Sequence, residues 1–266
     1  MKYFPVDVFT DQLFRGNPAG VCLLDEWPLD DLMLSIAAEN RVSETAFLVK
    51  EEGQYHLRWF APQMEVDLCG HATMASASVL FEFVETEATE LSFDTLSGIL
   101  TVARGEDGLL WMDLPARAGR PAPLYPSLPS ALGVNILEVF DAPDILVVVE
   151  DEETVANLTP NFETLKKLKK EAAMPDDNFG VIVTAPGSNC DFVSRYFAPN
   201  LGVDEDPVTG RAHAVLTPYW SKRLGKTSMT ARQLSERGGQ LWCRDAGDRV
   251  KVGGKTRLYS IGELQI

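Results

Sequence analysis

Residues 1 to 8 and 20 to 24 run or alternate apolar in the manner of strands, and the intervening DQLFRGNPAG is dense in turn formers, so the chain is predicted to open with a hairpin. In LDDLMLSIAAEN, Leu32, Ile36 and Ala37 share one face, which predicts a helix that begins with acids and ends at Asn40. RVSETAFLV follows, ending as an apolar strand with Ser43 and Glu44 at its mouth. Another strand is predicted over 54–60, a helix over 71–83, and strands over 89–95, 97–103 and 108–114. RAGRPAPLYPSLPS then reads as a linker. Beyond it the pattern predicts a short helix near 129–133, a strand at 145–150, a helix at 160–173, strands at 179–185 and 190–198, and a helix at 210–223. From Met229 onward short strands alternate with Gly and Asp turns.

One stretch occurs twice. Residues 58–80, RWFAPQMEVDLCGHATMASASVL, return in altered form as residues 195–217, RYFAPNLGVDEDPVTGRAHAVLT. Arg58, Phe60, Ala61, Pro62, Val66 and Asp67 recur as Arg195, Phe197, Ala198, Pro199, Val203 and Asp204, after which the register shifts so that Gly70 and Ala72 face Gly210 and Ala212. Each copy reads as an aromatic strand, a Pro-containing loop, a Gly and a helix of small residues. A loop that delivers a Gly to a helix start leaves backbone N–H groups pointing outward at the positive end of the helix dipole, which favours an anion. Two such starts in related halves are expected to hold one carboxylate-bearing ligand across a cleft. On its own, either Gly is better explained by a tight turn; the pairing, with Glu, His and Asp nearby, reverses that preference and favours a site.

Composition narrows the function classes. The 266 residues suffice for two domains, and 45% are hydrophobic. Lys plus Arg number 24 against 39 Asp plus Glu, a formal net charge of −15, which argues against nucleic acid or an anionic membrane as partner. No apolar run is long enough to span a bilayer and MKYFPVDVF lacks the layout of a signal peptide, so a cytoplasmic location is expected. Cys22, Cys69, Cys190 and Cys243 form no CxxC, and His56, His71 and His213 form no HxxxH or HExxH pair; reduced thiols and no metal are the expectation.

Taken together, VFTDQLFRGNPAGV, SETAF, FAPQMEVDLCGHAT, DEDPVTGRAH and RGGQL resemble the PhzF-like phenazine-biosynthesis isomerase family over nearly the whole chain. The resemblance implies an α+β, diaminopimelate-epimerase-like fold: two pseudo-symmetric lobes, residues 1–115 and 116–266, each a small β-barrel-like sheet around a central helix, with the last strand able to return to the first lobe and the active site between the lobes. It implies a cofactor-free proton shift on a small carboxylate, with Glu44 of SETAF as general acid/base and His71 of GHAT and Asp206 of DPVTG assisting. Ser43, Gly70, Ala72, Gly210 and Arg211 are the expected substrate-binding positions. Arg211 stands where the family commonly has Ser, and its longer charged side chain is expected to narrow the pocket or to claim a second acidic group on a different substrate.

The residues weigh differently without the resemblance. A half-desolvated Glu44 opening an apolar strand suits a general base, though on position alone a surface strand-end acid is the better reading. His71 at a helix start is a poor place for an imidazolium, which favours a neutral ring. Asp206 before Pro207 also fits a turn residue, Asp204 and Glu205 read as solvated acids, and His213 reads as a packed core histidine. Related two-lobed epimerases use opposed thiols, but DEDPVTGRAH offers Cys69 no partner, so Cys69 reads as a small buried residue. The readings left standing are the isomerase, an amino-acid epimerase or racemase on the same fold, and a catalytically silent binding or scaffold protein. A homodimer is expected because it is the commonest assembly of soluble enzymes.

Overall fold

The computed structural model describes residues 1–174 and 179–266. Its chain divides into two compact units, Met1–Asp113 with Gly253–Ile266, and Leu114–Val252. Asn178, with which the second-half strand motif NFGVIVT begins, lies outside the described residues.

In the first unit, β1 (Lys2–Val8), β2 (Asn17–Leu24), β3 (Glu44–Glu51), β4 (Gln54–Ala61), β5 (Met64–Val66), β6 (Glu90–Thr95), β7 (Gly98–Arg104) and β8 (Leu110–Pro115) surround α2 (Gly70–Phe83). Neighbours run β1–β2 antiparallel, β2–β3 parallel, β3–β4 antiparallel, β4–β6 parallel and β6–β7 antiparallel. The strand Thr256–Leu258 returns to pair with β1. Ala72, Ala75 and Ala77 are among the buried residues of α2, and such small side chains let the sheet close tightly around the helix. The other helix, α1 (Asp30–Asn40), covers the outer face of this sheet with Met33, Ile36 and Ala37 against Cys22, Phe47 and Phe60.

The second unit repeats this order. After β9 (Arg120–Pro121) and α3 (Leu128–Leu132), β10 (Glu138–Asp141) and β11 (Ile145–Val148) are antiparallel, β11 and β12 (Val181–Pro186) parallel, β12 and β13 (Phe192–Ala198) antiparallel, β13 and β15 (Ser228–Gln233) parallel, and β15 and β16 (Gly239–Asp245) antiparallel. The short β14 (Val203–Asp206) pairs with β13 as β5 pairs with β4. Helix α7 (Gly210–Leu224) lies against β15 and β16 in the place of α2. Pro218 is within it, and the Ala214 carbonyl that Pro218 has no N–H to reach accepts instead from the backbone N–H of Arg117, so the helix continues past the proline.

Pairing sets the repeat more sharply than the letters do. Arg58 makes a two-pronged contact with Glu65, Nε to Oε1 and Nη2 to Oε2 at 2.7 Å each, and Arg195 does the same with Glu205 at 2.7 and 2.8 Å. Each guanidinium also lies over a ring, Phe60 at 5.2 Å and Phe197 at 5.0 Å. Phe60 is opposite Glu65 and Phe197 opposite Glu205, so Glu205 is the counterpart of Glu65 and Asp206 the counterpart of Val66. The register therefore shifts before the acid, in the turn Pro199–Leu201 and the bulge after Phe197, and not after Asp67. Glu205 is a buttress for the strand pair and not the solvated acid the sequence suggests. Beyond α4 (Glu152–Ala156), the helix predicted over 160–173 is two single turns, α5 (Phe162–Leu165) and α6 (Leu168–Glu171), because Leu165 and Leu168 are the only residues in those turns that bury fully, too narrow a stripe to hold a long helix. Among the described residues, no helix is long and apolar enough to cross a membrane.

Candidate active site

In the first unit, α1 ends with Arg41 in the left-handed conformation, and the chain enters β3 with Glu44 as its first residue, beside Ala19 of β2. Helix α2 begins at Gly70 with no side chain capping its N-terminus. The sheet thus sets Glu44 against the first turn of α2, and Glu44 Oε2 lies 3.2 Å from His71 Nε2, with the side chains only 21% and 8% exposed. Both atoms are buried, and among the described residues neither has an aligned hydrogen-bond partner, so the two are directed at each other. On the opposite edge of the ring, His71 Nδ1 lies 3.5 Å from Cys69 Sγ and 3.4 Å from Asn17 Nδ2, and the Ser43 hydroxyl donates to Asn17 Oδ1 at 2.9 Å.

Burial opposes a charge on His71, but the Cys69 sulfur and the Glu44 carboxylate act the other way and carry its pKa well above the ordinary histidine value. Burial and the neighbouring Glu44 push the Cys69 thiol up to about 11, so at neutral pH the sulfur keeps its proton and the carboxylate is the group that favours the imidazolium. The helix start and burial disfavour a charge on the ring, and the adjacent carboxylate favours one. Oxygen, sulfur and nitrogen of Glu44, Cys69 and His71 lie within 4.8 Å of one another, close enough to hold an ion. The imidazole presents different nitrogens to the carboxylate and the thiol, however, an arrangement that passes a proton along a line and does not let all three share one ion.

In the second unit, the Thr209 hydroxyl donates to Asp206 Oδ2 at 2.5 Å, while Gln233 Nε2 donates to the Asp206 carbonyl at 2.7 Å and the Thr209 backbone N–H donates to Gln233 Oε1 at 2.9 Å. Buried Gln233 therefore fixes the loop that delivers Asp206 and Gly210 to α7, whose start no side chain caps. Arg211 is differently placed from expectation. Its Nε and Nη2 grip the two oxygens of Asp144 at 3.1 and 2.8 Å, and Asp144 Oδ1 also accepts from the Gly180 N–H at 2.8 Å and the Tyr196 hydroxyl at 2.9 Å. Asp144 is 1% exposed and Arg211 32%, so the acid anchors the guanidinium from below and leaves part of it toward solvent. Gly180 and Glu44 are equivalent by strand register, as are Asp144 and Ala19; the second unit thus keeps a carboxylate at the helix start, moved to the neighbouring strand.

Asn17 and Asp144 escape sequence reasoning, the first because GNPAG reads only as a turn. Asp144 carries the same signal as Glu44, an acid opening an apolar strand. Gly70, Ala72, Gly210 and Ala212 all stand in the first turns of their helices, each within its own unit.

His213 is fully buried, with Nδ1 2.8 Å from the Thr209 carbonyl and its ring 5.9 Å from that of Phe192. Burial pushes it down to about 4. Because the unfolded chain binds a proton at about 6.5 that the folded chain refuses until about 4, folding stability is full above 6.5 and falls as pH drops through that window, by about 3 kcal/mol. Urea denaturation at pH 7 and pH 4.5 should show a smaller acid loss in His213→Gln than in the wild type; equal losses would assign the acid sensitivity elsewhere.

Residues 6–260 match the family model described as phenazine biosynthesis-like protein, PhzC-PhzF. An uncharacterized isomerase of Pseudomonas aeruginosa is 49% identical over 266 residues, covering 100% of this chain and 99% of that one. A crystal structure of a phenazine biosynthesis protein of the PhzF family from Enterococcus faecalis superposes with a TM-score of 0.94 at 45% identity, covering 100% and 99% of the two chains. A protein from Pseudomonas aeruginosa described as a predicted epimerase shares the fold at 18% identity, TM-score 0.76, over 100% and 99% of the chains. With the repeated sheet-and-helix units described above, these place the chain in the diaminopimelate-epimerase-like fold and make it a member of the PhzF-like, phenazine biosynthesis-like isomerase family.

Proposed function

We propose that the protein is a cofactor-independent isomerase that moves a proton between two positions of a small carboxylate-bearing metabolite, with Glu44 as the group that takes and returns it. The observation that carries this reading is the buried Glu44–His71 contact at the uncapped start of α2. A carboxylate held there with no other partner removes a proton from a substrate carbon, and His71 steadies the carboxylate and shares its proton. The protonated Glu44 then delivers the proton to a second carbon, so charge and atoms balance without a co-reactant. In the first unit, the backbone N–H groups at Gly70 and Ala72 are proposed to receive carboxylate oxygens, with Ser43 bordering the ligand. In the second unit, the start of α7 at Gly210, with Asp206 beside it, is proposed to offer the same chemistry, and Arg211, held by Asp144, to read an acceptor on a ligand there, a restriction absent where the family carries Ser. A two-thiol racemase is less well supported, since the residue that precedes α7, as Cys69 precedes α2, is Thr209 and not a second cysteine.

Thermal-shift screening of small carboxylic acids comes first, because a ligand at a hundred times its Kd adds about 2.7 kcal/mol. Each stabilising acid is then incubated with protein in heavy water and weighed by mass spectrometry. Deuterium uptake supports the isomerase; stabilisation by an acid without uptake would favour a silent binding protein.

A further inference from the structure

We infer that Asn17 is a positioning residue that sets the tautomer of His71, so that the Nε2 proton faces Glu44. The inference rests on the acid/base reading of Glu44 and His71 and adds the device that orients the pair. Four side chains stand in a row, Ser43, Asn17, His71 and Glu44, at 2.9, 3.4 and 3.2 Å. Asn17 is fully buried, so the orientation of its amide is set by its neighbours and not by water. The Ser43 hydroxyl donates to Oδ1, which leaves the Nδ2 donors directed at the ring. A nitrogen that receives an N–H donor must offer its lone pair. His71 Nδ1 is therefore the acceptor, and the one proton of the neutral ring lies on Nε2, where Glu44 Oε2 is the facing atom. The charged and titratable groups against the ring are Glu44 on β3 and Cys69 just ahead of α2; the buried thiol, protonated at neutral pH, adds no charge on the Nδ1 side.

The chain has a mechanical meaning for catalysis. If Nδ1 carried the proton instead, Nε2 would turn a lone pair toward a carboxylate and repel it, and Glu44 would lose its orientation. Asn17 prevents this with a group that does not titrate. Ser43, expected from the sequence to bind substrate, acquires a second role, since its hydroxyl donates to the oxygen of that amide.

With three histidines in the chain, the ring nitrogens are resolvable by long-range proton–nitrogen NMR on protein labelled at histidine with nitrogen-15. The wild type is titrated upward until His71 is neutral. The expected result is a bare, pyridine-type Nδ1 and a protonated Nε2, with the His56 and His213 signals as folding controls. In Asn17→Asp an acceptor replaces the donor, so the bare signal should leave Nδ1 and the imidazolium should persist to higher pH. A wild-type neutral ring protonated on Nδ1 would overturn the inference, as would an Asn17→Asp spectrum identical to the wild type. These spectra need no substrate. Absence of deuterium uptake by the wild type would sink the isomerase reading while leaving the tautomer standing, and a wrong tautomer with normal uptake would sink Asn17 alone.

Discussion

Glu44→Gln is expected to slow deuterium exchange into the responsive carboxylate by about 10² to 10⁴-fold, the usual contribution of a positioned acid or base. Gln has nearly the size and shape of Glu but has no basic oxygen to hold a proton. The strand mouth and the start of α2 are backbone features that the change does not touch, so the thermal shift produced by the carboxylate should persist. That combination separates a lost base from a lost binding site. Exchange that continues undiminished in Glu44→Gln but vanishes in Asp206→Asn would move the base to the second unit.

The largest stability effect is expected at Asp144 in the second unit. Asp144→Ala leaves the Arg211 guanidinium, the Tyr196 hydroxyl and the Gly180 N–H without the carboxylate that serves all three, and removing one partner of a buried ion pair costs about 3–5 kcal/mol. Partial exposure of Arg211 places the expected loss near the lower figure, about 3 kcal/mol, since water can solvate part of the guanidinium. Asp144→Asn should cost less, because the amide oxygen still accepts from Gly180 and Tyr196. Chemical denaturation of the three proteins checks the order, and an Asp144→Ala protein as stable as the wild type would show that the Arg211 contact contributes nothing net.

Much of the architecture is legible in the letters, for an identifiable reason. Strand and helix periodicities, the Gly-to-helix junctions and the duplicated RxFAP segment are local, and they mark β3, β4, α2, β13 and α7 nearly to the residue. What the letters hide is pairing. The short β5 and β14 read as loops because their stability comes from the Arg58–Glu65 and Arg195–Glu205 contacts and not from strand propensity. The site behaves the same way. Glu44 and His71 stand out by motif, but that His71 turns one nitrogen to Glu44 and the other to Asn17 is a tertiary fact. Arg211 shows its charge without showing that Asp144 claims it. Nor do the two halves, aligned by letters, reveal that an acid opens a strand in each, because Glu44 lies on β3 whereas Asp144 immediately precedes β11, and only strand register aligns them.

The return of Gly253–Ile266 to the first unit bears on the order in which the chain acquires structure during synthesis. Strand β1 is bordered on one side by β2, made within the same two dozen residues, and on the other by Thr256–Leu258, while the Thr256 hydroxyl reaches Ser78 of α2 at 2.7 Å. The second unit is continuous in sequence and has all its residues once Val252 has left the ribosome. At about 5–20 residues per second, the unit that holds Glu44 and His71 thus waits many seconds after most of its own residues exist, with an edge of β1 uncovered. The domain translated first is completed last, and a nascent chain stalled shortly before residue 253 would carry a finished second half joined to an open first one.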